Sequence, residues 1–432
     1  MSSRIELMLC VLLGTAVTAG AQPPPAAPLT LEDCVRLALK APSVATVAEH
    51  QVKVAQEDRT IAKSGFLPTV RVENTFAYNS PLLSQRDQFS YVAANGIREY
   101  MSVVDARWEL DLSGRLRAGL AFARAQRNLA DSERRLARRD LRRVVAVAFY
   151  DALLTRHLVV LEQAGLKEAA DFDQRVRQLE AHGEASKADI YKASAQRAQF
   201  ERRLARAKLN ERLANQALAA FWTSDVDRKL ELVDVIEKPP APPSEVVAAP
   251  ASSEEAVNRR PELARFDALR STFEAQRLAA RSALKPQTSV VFQYGIDSNN
   301  VRIADRGYAA YVNLSIPVFD WFRARGTARQ ARYREQQVRD QQSVARRQFS
   351  REYAAALASV RSLHERIPLA AAELHDLREN LRLSRLLYEG GEGLALDVVV
   401  AQTAAANSGA SYFAAVADYM KALVDFEVAS GK

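Results

Sequence analysis

Cysteine is nearly absent from this 432-residue chain: Cys10 and Cys34 are the only two, and both fall in or just behind the N-terminal segment. That excludes a disulfide framework and a cysteine-based metal cluster, and an oxidising compartment would be tolerated. Glycine and proline are sparse at 16 each. So few helix breakers exclude collagen-like or low-complexity disorder and leave room for helices far longer than about fifteen residues. Aromatics make up only 7%. What remains, 48% hydrophobic and 26% charged, is Ala- and Arg-rich and reads as mostly helix. Catalytic motifs are missing as well. There is no P-loop, no Gly-x-Ser-x-Gly and no metalloprotease-like His-Glu pair, and Gly390-Gly391-x-Gly393 follows a helix rather than a strand. His364 and His375 share a helical face but lie too far apart to hold one metal ion. Neither an enzyme nor a metal or cofactor is implied.

A net charge of +8 invites a nucleic-acid reading, since a basic surface is the footprint of phosphate binding. The first residues argue otherwise. Arg4 precedes an apolar run from Leu7 to Val17, and Ala19-Gly20-Ala21 follows as a small-x-small cleavage site. Residues 1–21 therefore read as a signal peptide, with Gln22 opening the mature, exported chain. Cys10 sits early in the apolar run behind Met8-Leu9, a poor setting for lipid attachment. No later stretch approaches the roughly 20 apolar residues that span a bilayer as a helix, so any membrane span must use strands.

The chain reads twice. Pro42 starts a helical stretch ending in Gly65-Phe66-Leu67-Pro68, and Pro261 starts one ending in Ala283-Leu284-Lys285-Pro286. Asp111 to Arg115 corresponds to Asp320 to Ala324. Gly183 to Ile190 corresponds to Gly391 to Val398 at a constant offset. The first repeat covers 22–222 and the second 254–432. Between them 223–253, with Lys238-Pro239-Pro240-Ala241-Pro242-Pro243 and Pro250, reads as a stiff extended connector.

Each repeat carries two segments with a period of two, at about 69–78 and 100–111, then about 287–297 and 307–318. Val70, Val72, Phe76 and Tyr78 alternate with Arg71, Glu73 and Thr75. Tyr100, Val104, Trp108 and Leu110 alternate with Met101, Asp105 and Glu109. Strands of about ten residues cross a bilayer when tilted, although soluble antiparallel sheets alternate in the same way. Export, together with Tyr78, Tyr100, Trp108, Tyr308 and Trp321 near strand ends, favours an outer-membrane barrel. Two hairpins cannot close one. An open sheet edge in hydrocarbon leaves backbone groups unpaired, so copies must share the wall, and three copies give about twelve strands around an aqueous lumen.

From Ala118 to about His182 only Gly119 and Gly165 interrupt the helical pattern, and Arg325 to Tyr388 is its counterpart, with a bend expected at Ile367-Pro368. Phe122, Leu129 and Leu136 recur every seven residues, and Ala121, Ala123, Ala125 and Ala130 permit close approach. The cluster Arg134, Arg135, Arg138, Arg139, Arg142 and Arg143 is most simply a solvated helix face. The fold class that results is α+β, mainly α, built from repeated long helical hairpins and two β-hairpins per chain.

Leu29-Thr30-Leu31-Glu32-Asp33, Gly65-Phe66-Leu67-Pro68 before the first strand, and the repeated Gly-x-x-x-x-x-Asp turns at Gly183 and Gly391 resemble the TolC family of outer-membrane efflux proteins. The resemblance covers essentially the whole mature chain. It implies a homotrimer: a twelve-stranded barrel in outer-membrane lipid continued into the periplasm by a helical tunnel, with 223–253 at its equatorial waist. It also implies a passive export channel whose partners are a periplasmic adaptor and an inner-membrane pump, and it implies no nucleic acid.

The same resemblance makes Gly183 and Gly391 the tunnel tips and the adaptor contact, and Asp189, Tyr388 and Asp397 the periplasmic gate. A phenol donating to a carboxylate is a charge-assisted hydrogen bond, strong yet reversible. Asp397 would add an acidic ring that favours cations. Gly393 and Val400 depart from the family pattern, which has a basic and an acidic residue there. Asp189 could equally cap the returning helix, and Tyr388 could be a packing residue. Two other readings of the chain compete: a periplasmic coiled-coil adaptor of an export system, and an exported basic coiled coil binding an anionic polymer.

Overall fold

A computed structural model of the chain describes residues 28–80, 97–247 and 253–431. The expected signal peptide, Cys10 and Pro250 lie outside the described residues. Helix α1 spans Leu31–Lys40 and opens on a capping box in which Thr30 and Asp33 satisfy each other's backbone N–H groups. Helix α2 (Val44–Ser64) leads through Gly65 to Pro68 into strand β1 (Thr69–Tyr78), which pairs with β2 (Arg98–Leu110). Helix α3 (Arg115–Ala181) and helix α4 (Lys187–Ala219) then form a long hairpin.

The connector that follows holds one short helix, α5 (Ser244–Val247), and a second, α6 (Ser253–Arg259), starts at its end. The second repeat runs α7 (Pro261–Ser282), β3 (Gln287–Ser298), β4 (Gly307–Ser315), α8 (Arg323–Glu389) and α9 (Ala395–Ala429). Helix α7 has Pro261 at its first turn, where a missing N–H costs nothing. Helices α3 and α8 have 67 residues each, about 100 Å at ~1.5 Å per residue. Helix α8 continues through Pro368.

The strands form one antiparallel sheet in the order β1-β2-β3-β4, so the two repeats are joined by the β2–β3 pairing. Strand β4 stops at Ser315, short of the expected 318, because Pro317 has no N–H to offer the ladder. In-register rows cross the whole sheet: Val72, Val104, Tyr294 and Tyr308 on one face, and Arg71, Asp105, Gln293 and Ala309 on the other.

The main core lies at the waist. Val145, Phe149 and Leu153 of α3 meet Cys34 and Val35 of α1, Leu218 of α4, Tyr353 and Val360 of α8, and Val416, Tyr419 and Phe426 of α9. The connector contributes Leu232, Ile236 and Val246 to this cluster. It is therefore packed structure, tied to the chain's start by a parallel bridge from Leu29 to Leu232. Helix α3 carries an 18-residue window of mean hydropathy 1.7, more apolar than the sequence reading credits, and its share of the waist core explains that composition.

The arginine cluster on α3 is largely the solvated face expected, with Arg135, Arg138, Arg142 and Arg143 exposed, but its charges are paired. Arg138 pairs with Glu49 of α2, Arg142 with Glu32 of α1, Arg139 with Glu262 of α7, and Arg143 with Asp425 of α9, while Arg134 and Arg135 share Asp131. Exposed pairs of this kind contribute about 0–1 kcal/mol each, so their main effect is to orient helices. A buried arginine outside the cluster, just before α7, is different. Arg260 donates to Glu262 at 2.9 Å and Glu352 at 2.6 Å and lies 3.9 Å over the Phe349 ring, so α3, α7 and α8 meet in one ionic chain.

Candidate functional site

Two regions carry the features expected of a channel: the sheet surface and the helix tips. On the sheet, Val70, Val72, Phe76 and Tyr78 of β1, Val104 and Trp108 of β2, Phe292 and Tyr294 of β3, and Tyr308, Val312 and Leu314 of β4 are all exposed. They share one face by register. Such an apolar surface is costly in water and suited to hydrocarbon. The opposite face carries Arg71, Glu73, Asp105, Arg107 and Gln293, with Gln293 donating to Asp105 at 3.2 Å.

The expected interfacial aromatics fall at two levels. Tyr78, Tyr100 and Tyr308 stand toward the end remote from the helices, where Phe76 and Tyr100 are in ring contact at 5.0 Å. Trp108 and Trp321 stand at the helical end, and the Trp108 indole donates to the Phe66 carbonyl at 2.9 Å. From Tyr100 to Trp108 the strand climbs roughly 26 Å, close to the height of an apolar membrane band. The edges β1 and β4 have no strand beside them among the described residues.

At the other end, α3 and α8 close with Gly183 and Gly391 in the left-handed region, φ +80° and +81°. Glu184 N–H donates to the Leu179 carbonyl and Glu392 N–H to the Leu387 carbonyl, which ties off each helix end. A side chain at either glycine would meet nothing within 4 Å, so backbone conformation and not space selects glycine. Gly393 is the reverse case. A Cβ there would stand 3.0 Å from the Tyr388 nitrogen and 3.1 Å from the Leu387 carbonyl carbon, so the chain lies against the end of α8 where the family pattern has a basic residue.

Asp189 and Tyr388 line one pocket of about 420 Å³ together with Glu184, Glu389 and Leu394. They are brought together but not bonded. Asp189 accepts from the Ser186 hydroxyl at 2.8 Å and from Lys192 Nζ at 2.9 Å, and its own N–H donates to Ser186 Oγ. Burial alone would push its carboxyl up, but the bonds from Lys192 and Ser186 hold it below the ordinary 3.8. Within one chain Asp189 thus does capping work. Tyr388 is 8% exposed, packs edge-on against Phe172 at 5.2 Å, and leaves its hydroxyl without a partner. Burial, and secondly the charge of Asp189, raise the phenol above 10.0. Asp397 occupies the equivalent position in α9, with the Leu394 N–H donating to its carboxylate at 3.4 Å. The orphan hydroxyl was beyond sequence reasoning, because it depends on where the Asp189 carboxylate points.

The description outer membrane efflux protein matches residues 36–224 and 253–432, which takes in both repeats. Among solved structures the chain is similar to a membrane protein from Pseudomonas aeruginosa, with TM-score 0.81 and 22% identity over 93% of this chain and 92% of that one. It is similar to the outer membrane protein VceC from Vibrio cholerae, with TM-score 0.78 and 17% identity over 93% and 96%. It is also similar to the MtrE outer membrane channel of Neisseria gonorrhoeae in its open state, with TM-score 0.76 and 21% identity over 93% and 88%. These likenesses show a shared fold. No curated protein matches the chain in sequence. With the family description spanning both long hairpins and both strand pairs, the chain belongs to the outer membrane efflux protein family and is a channel component rather than an enzyme.

Proposed function

We propose that three copies of this chain close one barrel and one helical tunnel, and that solutes leave passively through them while a periplasmic adaptor and an inner-membrane pump engage the tips at Gly183 and Gly391. The observation that carries this reading is the sheet: four strands, an exposed apolar face, and two edge strands without neighbours among the described residues. Unpaired backbone groups in hydrocarbon cost several kcal/mol each, so β1 of one copy must pair with β4 of the next. The tunnel then extends into the periplasm, because α3 and α8 run about 100 Å from the sheet.

Asp189, Tyr388 and Asp397 form the gate in this reading. A carboxylate has about four acceptor sites, so Asp189 can take the free Tyr388 hydroxyl in addition to its present bonds when the tips close. The arrangement described above has that bond unmade. A hydrogen bond to a charged group is worth about 1.5–3 kcal/mol, so losing it shifts the closed-to-open ratio by roughly tenfold or more per chain. In planar bilayers Asp189→Ala and Tyr388→Phe should each raise single-channel conductance or open time. Wild-type behaviour in both variants contradicts the gate.

A further inference from the structure

Next to the sheet the helices follow the order of the strands. Helix α2 packs on α3, α3 on α7 and α7 on α8, just as β1 pairs with β2, β2 with β3 and β3 with β4. The free ends of this row are α2 and α8, and each has a seam beyond the one it buries. On α2, Ala45 and Ala55 are buried, while Val47, Val54 and Ile61, seven residues apart, are exposed, Val47 by 68%. On α8, Ala331, Glu335 and Val338 are buried, while Tyr333, Gln337, Asp340 and Val344 line an open groove, with Tyr333 66% exposed. Spacings of three, four and seven are those of a helix seam that seats a second helix. Each seam is flanked by charge that has no ion pair among the described residues. On α2 these are Lys53 and, one turn nearer the sheet, Glu57 and Asp58; on α8 they are Asp340 and, two turns nearer the sheet, Arg332.

We propose that α2 of one copy seats on α8 of the next as an antiparallel pair, carrying the β1–β4 seam of the barrel on into the tunnel wall. The inference rests on the barrel reading and adds to it the residues that meet. Helix α2 delivers the chain into β1 through residues 65–68, and α8 leaves β4 through residues 316–322, so chains that pair β1 with β4 bring these two helices side by side. Contacts along the row fix the heights: Glu49 of α2 meets Arg138 of α3, Arg139 meets Glu262 of α7, and Asp267 of α7 meets Gln342 of α8. A three-fold axis leaves heights unchanged. To within about one turn, Val47 of one copy then faces Val344 to Gln348 of the next, Lys53 faces Asp340, and Asp58 faces Arg332 to Gln337. Because α2 runs toward the sheet and α8 away from it, acid meets base at both levels. That complementarity joins two faces of the same chain, which selects a second copy over a different protein, and a head-to-tail contact of this kind repeats until the ring closes.

The test is disulfide cross-linking of the full chain in outer-membrane vesicles, read as covalent dimers and trimers on non-reducing gels. Cys34 is buried and does not compete. Val47→Cys/Val344→Cys or Val47→Cys/Gln348→Cys should link most chains, whereas Ile61→Cys/Val344→Cys, about three turns out of register, should not. Lys53→Glu on the linking background should cut the linked fraction at least threefold, and Asp340→Lys added to it should restore that fraction. No copy-to-copy band from either Val47→Cys variant, an equally strong band from Ile61→Cys/Val344→Cys, or a charge reversal without effect or without rescue overturns the proposal. A band joining Val47→Cys to a different protein gives the face to another partner and overturns it as well. The mass of the wild-type particle separates two failures: three chains without the cross-link sink this seam alone, and single chains sink the barrel reading itself.

Discussion

Asp189 and Asp397 sit at the third position of the helices that return from the tips, and at that position a carboxylate meets unpaired N–H groups and the positive end of the helix dipole. Capping and the proposed gating are compatible uses of Asp189, since the capped carboxylate lines the same pocket as Tyr388. Ser186 supplies the cap's other half, so Ser186→Ala should lower tip stability by about 1 kcal/mol. Amide hydrogen exchange along the first turn of α4 should speed up roughly fivefold, and unchanged exchange there contradicts the capping geometry. Gly391→Ala isolates backbone conformation, because there is open space around it and a positive φ beneath it. It should cost about 1–2 kcal/mol per chain, read as a lower melting temperature. At this scale the repeated turn put Gly183 and Gly391 at the helix ends where they fall, while Asp189 and Tyr388 came from the family resemblance. Their bonding was not legible, since Ser186 and Lys192 lie close to Asp189 in sequence and Tyr388 far from it, and nothing in linear order ranks them as partners.

Among the elements, the ionic chain Arg139–Glu262–Arg260–Glu352 ties α3 to α7 and α8 on the sheet side of the main core. Arg260 is buried, so truncating it leaves Glu262 with Arg139 alone and Glu352 with Gln348 alone, at about 1–3 kcal/mol. Arg260→Met should melt well below wild type, and equal melting contradicts the packing described. Burial alone would raise the Glu262 carboxyl, but hydrogen bonds from Arg260 and the charges of Arg139 and Arg260 outweigh it and hold it below 4.5. A depressed carboxyl contributes stability that is complete above about pH 4.5 and is lost as pH falls through the lower folded value. Melting temperature should therefore drop from pH 5 to pH 3 more steeply in wild type than in Glu262→Gln; parallel curves contradict it. Gly165 lets α3 and α4 approach, since a Cβ there would stand 2.6 Å from the Phe200 ring. Gly165→Ala gains about 1 kcal/mol of helix propensity and loses about 1–3 to overpacking, a net loss seen in the same melting curves.

Element positions were legible wherever one period ruled. The strands β1 and β3 alternate with breaks only at residues such as Asn74 and Val291, so their limits are readable to within a residue, and Pro317 marks where β4 must stop. The pairing of the arginine cluster on α3 was not legible, because Glu32, Glu49, Glu262 and Asp425 come from α1, α2, α7 and α9 and are remote in sequence. Phe122, Leu129 and Leu136 recur every seven residues but are half-buried, and the buried positions in that stretch are Ala118, Ala123, Ala125, Ala130 and Ser132. Small side chains buried between close helices leave a weak hydrophobic signal.

For the whole molecule, one geometric fact governs: a four-stranded sheet with an apolar outer face and two bare edges cannot be stable in lipid as a single copy. Twice-repeated hairpins of equal length explain how three chains can present six similar pairs of helices around one axis. In the proposed barrel the polar face, with Arg71, Glu73, Asp105 and Arg107, lines the lumen. The most direct measurement is the detergent-corrected mass of the extracted particle by light scattering, followed by insertion of that same particle into a planar bilayer. The account predicts three chains per particle and discrete ion-conducting steps. A single-chain particle that leaves the bilayer electrically silent would contradict it.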